Sequence, residues 1–308
     1  MSTIGVLGGG SWGVALARAA VRAGSEVILH SRRHHGDGLK RIHVTAKLEE
    51  LARSRLILIA VPSHQVRTVA RELGDHVDGS HLLVHGVRGL SGPELLTISQ
   101  ILRDETPVRR LGALGGPVQA SELAEGRPSA LIVGSEYPEV AQAVRRALQG
   151  GWLLVDQTSD LAGLEWSSAL VGCLAIGVGF AQQTGATPGL LALLISRGVD
   201  EAAGIAVEAG ADQRTLYGLG GYGDLLASMA LDDRPEVVLG RALGRGADLE
   251  RAQQEAKLRI EAVDLVPRIH RFAEERGLAC PLFASILQVL DGAEAEQVVR
   301  KLFEQHAS

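Results

Sequence analysis

The chain has 308 residues, 46% of them hydrophobic, and 31 basic against 36 acidic side chains leave a formal charge of −5. That length suits two domains or one large one, and the apolar content supplies a buried core and excludes a disordered chain. No long run of one sign occurs, so neither nucleic acid nor anionic membrane is an expected partner.

The first residues carry no basic stretch leading into a signal-like apolar run. They read instead as an apolar strand, Thr3 to Leu7, followed by Gly8-Gly9-Gly10-Ser11-Trp12-Gly13 and an Ala-rich helix with Leu16, Ala19, Ala20 and Ala23 at helical spacing. The turn matches G-x-G-x-x-G, a weak signal on its own. Its context, with a strand before it, a helix after it and a second strand at Glu26 to His30, makes it a dinucleotide fingerprint. Gly8 permits the tight turn, Gly10 lets backbone approach a pyrophosphate, and Gly13 lets helix pack on sheet. Ser11 and Trp12 open the helix, whose free N–H groups face the phosphates.

The second strand ends at His30-Ser31-Arg32-Arg33, where an NAD-preferring site usually places Asp or Glu. A hydroxyl and two guanidiniums suit a 2′-phosphate instead, so NADP is expected ahead of NAD, with Arg32 and Arg33 as its contacts. A short polar connection follows, with Gly36-Asp37-Gly38 as a turn before Lys47. The strand expected at 56–61 runs into Val61-Pro62-Ser63-His64. Pro62 stops it near the expected nicotinamide side, and Ser63 is placed to cap the next helix. His64 is either a proton donor or a solvent-facing first-turn histidine.

Further strands are expected at 81–85, 111–114, 130–134 and 152–155, with helices near 12–23, 64–73, 93–102 and 138–148. This alternation predicts an α/β fold, a Rossmann-type parallel sheet with helices on both faces, over residues 1–157. From Leu161 long helical segments take over, at 161–183, 189–209, 235–243, 248–253, 259–276 and 282–290. Residues 158–308 are therefore expected to form a mostly α-helical domain for substrate binding and dimerisation, entered through a linker near Asp156-Gln157-Thr158. Such a pair of domains places a substrate cleft between them. The longest apolar run, Ala169 to Phe180, is twelve residues and reads as a buried helix rather than a membrane span. Cys173 and Cys280 lack metal-ligand spacing, read as core packing and suit a reducing cytoplasm. Lysine is confined to Lys40, Lys47, Lys257 and Lys301, so a lysine base has few candidates.

These segments together resemble the NAD(P)-dependent sn-glycerol-3-phosphate dehydrogenases of bacteria over nearly the whole length. The matching stretches are Gly8 to Gly13, Val61 to His64, Arg88-Gly89-Leu90, Gly116-Pro117, Arg197-Gly198 with Glu201, Gly221-Tyr222-Gly223-Asp224 and Glu261, in that order. The resemblance implies two domains, a cytoplasmic homodimer, and hydride transfer between a nicotinamide cofactor and dihydroxyacetone phosphate. It also implies cofactor contacts at Pro62, Arg88 and Glu261, and substrate contacts at Gly116 and Asp224.

The chain departs from that pattern mainly on the substrate side. The family's general acid/base lysine, in A-L-K-N, corresponds to Val171 of Ala169-Leu170-Val171-Gly172. The K-G lysine becomes Arg88, the serine of G-P-S becomes Val118, and a further lysine becomes Ser121. Where S-R-N is expected the chain has Arg234-Pro235-Glu236, which displaces the phosphate-anchoring arginine and introduces an acid. Arg234 is either a shifted phosphate ligand or a solvated turn residue. Asp224 either orients substrate hydroxyls or caps a helix. Lys257, four residues before Glu261, would share a helix face with it if the helix extends that far. His85 either replaces the missing acid or sits at the surface or behind the site. The expected activity is a glycerol-3-phosphate dehydrogenase-like oxidoreductase with a degenerate substrate site, and the alternative is a non-catalytic NADPH-binding sensor or scaffold.

Overall fold

The computed structural model describes residues 2–33, 39, 41–257, 259–294 and 297–298. The turn expected at Gly36-Asp37-Gly38, with Lys40 and Lys301, lies outside the described residues. The chain divides into two compact units, Met1–Glu165 and Trp166–Ser308.

The first unit is built on eight strands: β1 (Thr3–Leu7), β2 (Glu26–His30), β3 (Ile42–Thr45), β4 (Leu56–Ile59), β5 (Leu82–His85), β6 (Leu111–Gly115), β7 (Ser129–Gly134) and β8 (Leu153–Thr158). They lie in the order β3-β2-β1-β4-β5-β6-β7-β8. All neighbours run parallel except β6 and β7, which are antiparallel. Helices α1 (Ser11–Arg22), α2 (Ser63–Gly74), α3 (Ile98–Glu105), α4 (Ala120–Glu125) and α5 (Pro138–Leu148) connect them, with a 3₁₀ segment at Leu48–Arg53.

Alternation along the central strands sorts side chains to two faces. Ile4, Val6, Leu56, Leu58, Leu82 and Val84 share one core with Leu16 and Ala20 of α1 and Val140 and Val144 of α5. Strand order reverses at β1, which lies between β2 and β4. Such a reversal opens a crevice at the carboxyl ends of those strands.

Two expectations are corrected here. Asp156-Gln157-Thr158 is no linker: the three residues pair with Ile132, Val133 and Gly134 of β7 as the end of β8. Pro62, not Ser63, is the N-cap of α2, and Ser63 is its first residue.

The second unit is helical: α6 (Leu161–Gln183, beginning in the first unit), α7 (Pro188–Glu208), α8 (Gln213–Tyr217), α9 (Asp224–Ala230), α10 (Pro235–Gly244), α11 (Leu249–Ala256), α12 (Glu261–Glu275) and α13 (Pro281–Leu290). A single π turn, Leu219–Gly223, leads into α9. Among the described residues α6 alone is long and apolar enough to cross a membrane, and 89% of its apolar window is buried within the protein. Both cysteines are buried. Desolvation pushes the Cys280 thiol up to about 11 and raises that of Cys173 as well, so neither is a ready nucleophile.

Candidate functional site

In the first unit the glycine turn sits at the strand-order reversal. Gly8 has φ +118°, and a Cβ there would lie 2.4 Å from the Ala60 carbonyl. A Cβ on Gly13 would fall 1.8 Å from the Gly8 carbonyl oxygen, so helix and turn touch through a residue that must be glycine. At Gly10 a Cβ would meet nothing within 4 Å. That space lies directly before the first turn of α1, which has neither a side-chain cap nor an acidic residue. Trp12 lies across Gly86, where a Cβ would come within 2.2 Å of the indole Nε1. That buried N–H has no hydrogen-bond partner in the protein. Bare helix amides and open space over Gly10 fit the pyrophosphate of a dinucleotide.

At the end of β2, Arg32 and Arg33 are exposed, with no carboxylate beside them in sequence. The Ser31 hydroxyl accepts from Arg33 N–H at 3.0 Å, so it shapes this turn. Pro62 is exposed at the end of β4, and His64 is exposed on α2. Arg88 and Gly116 come together, the guanidinium donating to the Gly116 carbonyl at 2.8 Å.

His85 is not at the surface. It ends β5 fully buried, with Nε2 3.0 Å from Glu165 Oε1, within ion-pair range but off the hydrogen-bond direction. Val87 N–H donates to His85 Nδ1 at 3.4 Å. The Glu165 carboxylate accepts from Ser99 N–H at 2.8 Å and Ser99 Oγ at 2.6 Å. With every member buried, this network fixes the start of α6 against α3 and β5. Glu165 stands six residues before Val171, a spacing that sequence reasoning passed over.

In the second unit a buried polar cluster joins α9 to α10. Arg234 is 1% exposed, which overturns the solvated-turn reading. Its Nη1 donates to Asp224 Oδ1 at 2.9 Å and to the hydroxyl of Ser228, and its Nε donates to Glu236 Oε2 at 3.1 Å. Burial opposes the charge, but the two carboxylates more than offset it and raise the guanidinium's affinity for its proton. Asp224 is therefore the partner of a buried cation rather than a helix cap, and α9 has no side-chain cap. Ser228, one turn after Asp224 on α9, was the overlooked member, readable only from its i, i+4 spacing.

Val171 lies buried on α6. The next residue, Gly172, faces Glu236: a Cβ there would lie 3.8 Å from Glu236 Oε1 and 3.8 Å from Ala262 Cβ. Lys257 is not part of this arrangement. It ends α11 in the left-handed region, with φ +57°, and its side chain is exposed. Glu261 begins a separate helix, α12, so the shared helix face expected for Lys257 and Glu261 does not form. Glu201, matched in the Arg197-Gly198 segment, accepts from Leu282 N–H at 2.9 and 3.0 Å and from Phe283 N–H at 3.2 Å, bridging α7 to the start of α13.

Comparison with known proteins agrees with this layout. Residues 38–141 match the model for the NAD-dependent glycerol-3-phosphate dehydrogenase N-terminus, and residues 160–300 match that for its C-terminus. Glycerol-3-phosphate dehydrogenase [NAD(P)+] from Azotobacter vinelandii is 31% identical, covering 97% of this chain and 93% of that protein. A second such enzyme, from Salinibacter ruber, is 29% identical over 100% of this chain and 96% of its own length. The crystal structure of glycerol-3-phosphate dehydrogenase from Coxiella burnetii superposes with a TM-score of 0.88 at 26% identity, covering 98% of this chain and 99% of that one. Matched in both halves and across nearly the full length of these relatives, the chain belongs to the NAD-dependent glycerol-3-phosphate dehydrogenase family.

Proposed function

We propose that this protein is an NAD(P)-dependent oxidoreductase of that family whose substrate site has changed, acting in the cytoplasm as a homodimer. The cofactor is NAD or NADP, and Arg32 and Arg33 favour NADP because guanidiniums pair with a 2′-phosphate dianion. Gly8, Gly10, Ser11, Trp12 and Gly13 hold the pyrophosphate, with Pro62, Arg88 and Glu261 as further cofactor contacts. When bound, the reduced nicotinamide supplies the hydride for a carbonyl carbon. The protein must then deliver a proton to the carbonyl oxygen and orient the substrate.

The observation that carries the reading is the contrast between the nucleotide turn and Val171. Every glycine slot keeps its required geometry, while Val171 has no proton to give. Of the other candidates, Lys257 is exposed at a helix end, His85 is committed to Glu165, and Asp224 is bound to Arg234. Loss of a general acid/base costs about 10²- to 10⁴-fold. Dihydroxyacetone phosphate is accordingly reduced slowly. A second reading, a sensor that binds NADPH without turnover, is favoured by the enclosure of Arg234 between two carboxylates.

Oxidation of NADPH and NADH at high enzyme concentration, with and without dihydroxyacetone phosphate, tests this directly. Slow substrate-dependent oxidation that is faster with NADPH supports the oxidoreductase. Tight nucleotide binding with no oxidation across a panel of ketones would leave the sensor. Failure to bind either nucleotide at millimolar concentration would refute both.

A further inference from the structure

Helix α7 buries Ile195, Val199, Ala202 and Ala206 within the second unit. A surface helix ordinarily turns a charged, polar face to water opposite such a stripe. Here the outward face carries Leu193 and Val207, 44% and 49% exposed, with the small residues Gly189, Ala192, Ser196 and Gly204 exposed around them. Arg197 and Asp200 are the charges near its centre. A Cβ on Gly204 would meet nothing within 4 Å, and the same holds at Gly189. Glycine weakens a helix interior relative to alanine, so packing within the chain supplies no reason for Gly204. Tyr217 and Leu226, 43% and 42% exposed, line a cleft with Ala192, Ser196 and Asp200 and extend the apolar surface alongside. The Tyr217 hydroxyl donates to Asp200 Oδ1 at 3.0 Å, which fixes that carboxylate on this face.

An exposed apolar face of this kind marks an interaction surface, and its pattern selects the partner. Let two copies of α7 lie antiparallel about a two-fold axis level with Gly198. Val207 then falls opposite Gly189 of the second copy, on one side of the contact line. Leu193 falls opposite Gly204 of the second copy, on the other side. Each large side chain meets a glycine, which lets the two helices approach to about 8 Å. Arg197 meets Asp200 of the second copy, and symmetry makes that ion pair twice. Large against small and cation against anion are matched in one register, which an unrelated partner has no reason to satisfy. We infer that this face of α7 joins two copies of the chain, antiparallel and isologous. Tyr217 and Leu226 widen the contact toward the roughly 800 Å² per partner of a stable interface. This rests on the homodimer reading and names the surface that makes the dimer.

Sedimentation velocity of the full chain across micromolar concentrations, in wild type and four variants, is the test. Gly204→Leu fills the space opposite Leu193 of the second copy, at a position where its own chain leaves room. It is expected to weaken dimerisation about thirtyfold or more. Arg197→Glu and Asp200→Arg each set like charges across the axis and are expected to weaken it about tenfold or more. The double variant Arg197→Glu/Asp200→Arg reverses the pair and is expected to recover most of that loss, which a merely structural role for either residue would not do. Unchanged far-UV circular dichroism and cooperative thermal unfolding certify the fold of each variant. If Gly204→Leu does not fold, the charge cycle decides alone. A wild-type dimer whose dissociation constant is unchanged in Gly204→Leu and in the single charge variants associates through another face; that overturns the inference and leaves the homodimer reading standing. Weakening by both single charge variants without recovery in the double variant overturns the antiparallel register. Wild type that stays monomeric at the highest concentration overturns the homodimer reading together with the inference.

Discussion

Glu201 shows how one side chain couples packing to pH. Its carboxyl bridges α7 to the first amides of α13, and burial pushes its pKa up to about 7 against the accepted N–H bonds, which favour the ionised form. In the unfolded chain it titrates near its ordinary 4.5. Below that pH both states hold the proton and the group contributes nothing to the pH dependence. Between 4.5 and 7 the folded state holds a proton that the unfolded state has released, so stability falls as pH rises and then levels off. The span corresponds to about 3 kcal/mol. Urea denaturation of wild type and Glu201→Gln from pH 5 to 8 should show stability falling more steeply with pH in wild type than in the variant. Equal slopes would place the titration elsewhere. The residue type was legible, since Glu201 stood in a recognisable segment, but its partners were not, because Leu282 and Phe283 are brought to it only by the fold. Arg234 illustrates the same limit. A basic residue beside a proline reads as surface, and only folding brings back Asp224, ten residues earlier, to neutralise it.

At the scale of elements, α6 and α10 cross at glycines. A Cβ on Gly240 would lie 2.0 Å from the Ile176 carbonyl oxygen, and one on Gly179 would lie 2.2 Å from that of Val237. Both clashes are with backbone, which cannot step aside as a flexible side chain can. Gly240→Ala must therefore push the helices apart. Overpacking of a tight core costs about 1–3 kcal/mol and at times more, and the upper end is expected here. Thermal unfolding checks it; a loss below ~1 kcal/mol would mean that the two helices slide past each other freely. Elements that bury one apolar face, such as α1 and α5, or that are apolar on nearly every side, such as β1 and α6, were legible in advance. β3 was not, because as an edge strand it leaves His43 and Val44 exposed and shows little apolar alternation. Nor was α4, six residues closed by Gly126 at φ +74°, too short to display a period. The end of β8 was read as a linker because Asp156 and Gln157 are polar, and an edge strand tolerates both.

Across the whole molecule the altered residues spare the nucleotide turn. The nucleotide turn keeps each feature it requires, Arg88, Val118 and Ser121 are altered elsewhere in the first unit, and in the second Val171 and Gly172 on α6 are joined by Glu236 at the start of α10. This grouping implies that the changes act together and that reversing one will not suffice. A lysine introduced at Val171 would enter a buried segment of α6, next to Gly172, which faces Glu236. Burial would lower its pKa, and Glu236 would remain as an acid where the family places an asparagine. Val171→Lys alone is therefore expected to raise kcat/KM for dihydroxyacetone phosphate by less than about tenfold. Combined with Glu236→Asn, the gain should exceed the product of the two single effects, since residues sharing one polar network do not add independently. Steady-state NADPH oxidation by the four proteins of this cycle measures the coupling. Strict additivity would mean that the two positions act separately. A full recovery from Val171→Lys alone would show that the lysine was the single missing part and that Glu236 never stood in the way.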